Sequence, residues 1–102
     1  MVRVVRSQSL ENCLDRSVVK EFELSEPVGE MVMRRMARHG KLQFFPDFPR
    51  PYFRIDRSRT YVVQGVFGNT SVRVTFSPLA GSDAEEQLRI LIETSMHDEG
   101  DE

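Results

Sequence analysis

The residues with most capacity for chemistry gather in one stretch, residues 41–59, which reads KLQFFPDFPRPYFRIDRSR. It interleaves Phe44, Phe45, Phe48, Tyr52 and Phe53 with Arg50, Arg54, Arg57 and Arg59, and three prolines interrupt both sets. An arginine presents a planar, permanently charged fork to phosphate or carboxylate. An aromatic ring presents a flat face on which a nucleobase stacks. A stretch carrying both could dock an anionic ligand, with single-stranded RNA the ligand that uses both. The candidate contact residues are Phe48, Arg50, Tyr52, Arg54, Arg57, Arg59 and, further along, Arg73.

Charge supports attention to this region. Residues 34–73 hold nine basic residues against Asp47 and Asp56, a net +7, while the rest of the chain is −9. Such asymmetry marks either a surface for anions or two oppositely charged halves that pack together. The twelve arginines against two lysines carry less meaning, because GC-rich coding yields the same bias.

Catalytic groupings are poorly represented. Cys13 has only His39 and His97 as imidazole partners, and the sequence does not bring them together. No serine stands in a G-x-S-x-G elbow. Gly65 and Gly68 have the spacing of a phosphate clamp, but they lead from a strand into a turn, whereas a phosphate cradle needs glycines that open a helix. Asp56 lies among Arg54, Arg57 and Arg59, which would hold it ionised. His97, Asp98, Glu99 and Asp101 are acidic company for a cation, without the spacing of a preformed metal site. The expectation is a protein that is not an enzyme and takes no cofactor and no metal.

The elements that must position these residues are legible. At 102 residues, 39% hydrophobic and 29% charged, the chain fits one globular domain. It has no apolar run that spans a membrane, no signal-peptide pattern and a single cysteine, so a cytoplasmic protein without membrane partners is expected. Residues 18–24 alternate as a strand, with Phe22 and Leu24 inward. Residues 25–40 read as a helix, with Ser25 as cap, Pro27 in the first turn, basic residues in the last turns and Gly40 closing it with a positive φ. Residues 41–45 form a short strand and PDFPRP a connector.

Residues 52–57, 61–66 and 71–76 alternate as strands. Phe53, Ile55, Tyr61, Val63, Val72, Val74 and Phe76 point inward. Arg54, Asp56, Val62, Gln64, Val66, Arg73 and Thr75 point outward, a face that lacks aromatics. Gly68-Asn69 is a hairpin signal, and Gly65 marks a bulge or a close backbone approach. Residues 82–96 form a second amphipathic helix, opened by a Ser82–Glu85 capping box.

The expected fold is α+β, a two-layer sandwich. An antiparallel sheet of four to five strands carries two helices on one face, in the order β-α-β-β-β-β-α. Residues 1–16 are an uncertain N-terminal segment that could add a strand, 17–97 a single domain, and 98–102 an acidic flexible tail. The expected function is association with a protein partner or with a second copy, through the open sheet face or the proline-rich connector. The alternative is binding of single-stranded RNA or another anionic ligand by residues 34–73.

Overall fold

The computed structural model describes residues 2–12, 16–47 and 49–93. In chain order the elements are β1 (Val4–Asn12), β2 (Val18–Leu24), α1 (Glu30–Met36) continued by a 3-10 turn (Ala37–His39), β3 (Lys41–Phe45), β4 (Tyr52–Arg57), β5 (Tyr61–Val66), β6 (Ser71–Phe76) and α2 (Ala84–Glu93). The strands form one sheet in the order β1-β2-β6-β5-β4-β3, every pair antiparallel. The chain leaves β2 in the interior of the sheet, crosses through α1 to the far edge, and meanders back from β3 to β6.

The α+β class and the antiparallel sheet agree with the sequence reading. The strand count does not: there are six rather than four to five. The additional strand is β1, and the order becomes β-β-α-β-β-β-β-α. The reason is local. Register shifts between Val4 and Arg6 and between Ser9 and Glu11 break the two-residue period that would reveal a strand. β3 and β4 are separate strands, joined by the proline connector.

One face of the sheet builds the core. Phe22, Leu24, Phe53, Ile55, Tyr61, Val63, Val72, Val74 and Phe76 share a cluster with Val32, Met33 and Met36 of α1 and Ala84, Leu88 and Ile92 of α2. Each such side chain contributes about 1.5–3 kcal/mol on burial. Gly65 sits where a Cβ would come within 2.7 Å of the Phe53 ring, so it serves a close approach within a regular strand. The helices are tied to each other by the buried Arg35, which donates to the Ile92 carbonyl near the C-terminal end of α2 at 3.3 Å.

The helix termini differ from expectation. Residues 25–29 precede α1 rather than open it, and Gly29 occupies the cap without a side-chain bond. Ser25 is engaged elsewhere: its N–H donates to the Arg3 carbonyl and its hydroxyl accepts from the Arg3 N–H, both at 2.9 Å. Gly40 is extended, with φ −135. The need for glycine there is space, since a Cβ would sit 2.9 Å from Ile55 Cγ2. In α2 the capping-box residue Glu85 turns toward the sheet, accepting from Lys20 Nζ at 2.6 Å and from Ser7 Oγ at 3.2 Å.

Candidate functional site

Cross-strand partners in an antiparallel sheet share a face, so the register defines the surface opposite the core. One row runs across all six strands: Gln8 opposite Glu21, Glu21 opposite Arg73, Arg73 opposite Gln64, Gln64 opposite Arg54, and Arg54 opposite Gln43. To one side lies a row through Val19, Thr75, Val62, Asp56 and Lys41. To the other, Val66 is opposite Tyr52, and Tyr52 is opposite Phe45. Among the described residues no helix covers this surface, because α1 and α2 both bury their apolar residues against the other face.

The sequence placed Arg54, Asp56, Val62, Gln64, Val66, Arg73 and Thr75 outward, and the register agrees. Its statement that the open face lacks aromatics is corrected. Tyr52, the first residue of β4, and Phe45, the last of β3, are opposite each other on this face. Their rings stack at 5.6 Å between centroids and 29° between planes. The acidic members of the face, Glu21 and Glu23, alternate with the inward Phe22 and Leu24. That β2 lies beside β6, which brings Glu21 opposite Arg73, is a fact of topology with no local signature.

The seven candidate contact residues do not form one cluster. Tyr52, Arg54 and Arg73 share the open face. Arg50 is at its end, with Nη2 donating to the Asn69 side-chain oxygen at 2.6 Å and to the Phe67 carbonyl at 3.3 Å. Arg57 points to the helix side, where Nη1 donates to Gln87 Oε1 at 3.3 Å and the guanidinium lies 5.6 Å from the Tyr61 ring centroid. Arg59 occupies the β4–β5 turn with φ 62. Phe48 lies outside the described residues, as do Cys13, His97 and the acidic tail.

The open face is divided by charge. β6, β4 and β3 contribute Arg73, Arg54 and Lys41, with Asp56 opposite Lys41. β2 contributes Glu21 and Glu23, and Glu23 pairs with Arg6 of β1 at 2.9 Å. Arg54 Nε is buried without an acceptor among the described residues. A buried donor left unpaired costs about 1–3 kcal/mol.

Elsewhere, a groove between β1 and α2 is lined by Arg6, Ser7, Glu85, Glu86 and Arg89, and a shallow cleft near His39 by Arg57, Gln87 and Ile90. In the first, the Ser7 hydroxyl donates to Glu85, whose carboxylate is also held by Lys20. Among the described residues no three of His, Cys, Asp and Glu converge as metal ligands, and no helix is long and apolar enough to cross a membrane. No protein-family model, curated protein or solved structure matches the chain.

Proposed function

We propose that the protein is a non-catalytic binding domain that associates with a protein surface through the open face of its sheet. The observation carrying this reading is the pair Arg54 and Arg73. Arg54 Nε is buried without an acceptor among the described residues, and the two arginines flank β5 with its Val62 and Val66, Arg73 lying on the side of the acidic Glu21 and Glu23. An apolar strip with charges of both signs beside it suits another protein surface, which supplies apolar area and opposite charges together.

A second reading has one observation in its favour. The Phe45–Tyr52 stack beside Arg54 offers rings and a cation to single-stranded nucleic acid. Glu21, Glu23 and Asp56 on the same face would repel its phosphates, which ranks this reading second.

Photo-crosslinking separates the two. A benzophenone amino acid replaces Gln64 in the full chain, and a control replaces Arg89 on α2, on the helix side of the sheet. Crosslinks in source cells from position 64 to protein, and not from position 89, are the expected result. Crosslinks from position 64 only to nucleic acid would transfer the proposal to the second reading. None from position 64 would remove the open face as the working surface.

A further inference from the structure

The row that crosses the sheet has an order that fits itself. From one edge it reads Gln8, Glu21, Arg73, and from the other Gln43, Arg54, Gln64. A two-fold axis parallel to the strands, between β6 and β5, would lay one copy's face on another's. Gln8 then meets the second copy's Gln43, Glu21 meets its Arg54, and Arg73 meets its Gln64. Amide meets amide, carboxylate meets guanidinium, and guanidinium meets an amide oxygen. Beside the axis, Thr75 and Val62 are directly opposite within one copy and would each face the other in the second.

We infer that the partner on the open face is a second copy of this chain, docked face to face about that axis. The inference rests on the proposed function, since it names the occupant of the same surface. Symmetry makes every contact occur twice, as an isologous interface requires. Twisted sheets stack about 10 Å apart, at about 30° between strand directions. Glutamate and arginine side chains reach across that gap from the two faces. Neither has this option within one chain, because Glu21 and Arg54 are three strand spacings apart, about 14 Å.

The area is adequate for a modest dimer. Five inter-strand spacings of about 4.8 Å by six residues at about 3.4 Å give a face of roughly 500 Å² in plan. Side chains standing on it raise its accessible area toward the roughly 800 Å² per partner of a standard interface. Single-stranded nucleic acid does not use the order of the row, because a phosphate chain has no group to match Glu21.

The test is a charge exchange followed by sedimentation equilibrium on the full chain across the micromolar range, with thermal unfolding of every variant. Glu21→Arg sets arginine against Arg54, and Arg54→Glu sets glutamate against Glu21. Each is expected to weaken the dimer by about 10- to 100-fold. The double variant restores the opposite charges and is expected to return within about threefold of the starting protein. Because the two positions do not touch within one chain, such rescue reports only a contact between chains. A monomeric starting protein, single variants that leave the dimer unchanged, or a double variant no better than either single would each overturn the inference. If position 64 still crosslinks to a different protein in those cases, the open face keeps its role and only the identity of its occupant is wrong.

Discussion

Arg50 Nη2 donates to the Asn69 side-chain oxygen at 2.6 Å, which ties the proline connector to the turn between β5 and β6. The same turn holds the entry to α1: the Val28 N–H donates to the Asn69 carbonyl at 2.7 Å, and the Gly68 N–H to the Val28 carbonyl at 2.9 Å. Three segments distant in sequence therefore meet at one end of the sheet, and Arg50 is the side chain that clasps them.

Arg50→Ala should release that end. The expected loss is about 0.5–1.5 kcal/mol, measured by urea unfolding, with faster amide exchange at Gly68 and Asn69. Dimer affinity should stay near that of the starting protein. A variant with unchanged exchange but lost association would move Arg50 from a structural to a contact role.

Gly65→Ala tests the packing between β4, β5 and β6. The new methyl would meet Phe53 Cζ at 2.7 Å and Val72 Cγ1 at 3.0 Å. Overpacking of this kind costs about 1–3 kcal/mol. A shift in the urea midpoint with an unchanged slope is the expected signature. No shift would mean that the Phe53 ring moves freely.

Arg59→Gly should stabilise the protein. Arg59 holds φ 62, a region that costs a non-glycine residue about 1–2 kcal/mol. Glycine removes that cost and returns part of it as chain entropy, so a net gain of up to about 1 kcal/mol is expected in thermal unfolding. Association should not change, because the β4–β5 turn lies off the open face.

Glu93→Ala should loosen the start of β1. Glu93 Oε2 accepts from the Val4 N–H at 2.8 Å, and truncation leaves that partly buried donor unpaired, at about 1–3 kcal/mol. Exchange at the Val4 amide should rise well above that at Val63. Equal protection at both amides in the variant would show that β1 is held by its pairing with β2 alone.

Much of this surface was readable from the chain. Strict alternation through residues 52–57, 61–66 and 71–76 placed Arg54, Gln64 and Arg73 together and sent Phe53, Val63 and Val74 to the core. The same rule, carried to residues 41–45, gives Phe44 the core-facing parity of its partner Phe53. Phe44 holds that parity, opposite Phe53, but at the sheet edge it is 40% exposed and rests on Phe67. What could not be read was set by non-local pairing or by competition between local signals. β1 hides behind two irregularities, and the Ser25 cap lost to bonds with Arg3. The alignment of Glu21 with Arg73 depends on β2 and β6 becoming neighbours, which nothing near either residue in sequence encodes.

That neighbourhood has a consequence for synthesis. Val18 is opposite Phe76 and Glu23 opposite Ser71, so the seam between β2 and β6 joins positions about fifty residues apart. Loop-closure entropy opposes such a seam more than the hairpins on either side of it. As the chain emerges from the ribosome, the β1–β2 hairpin must wait with one edge of β2 unpaired until β6 has been made. Folding would then proceed as the docking of an early hairpin onto a late meander, with the seam between them the last to close and the first to part.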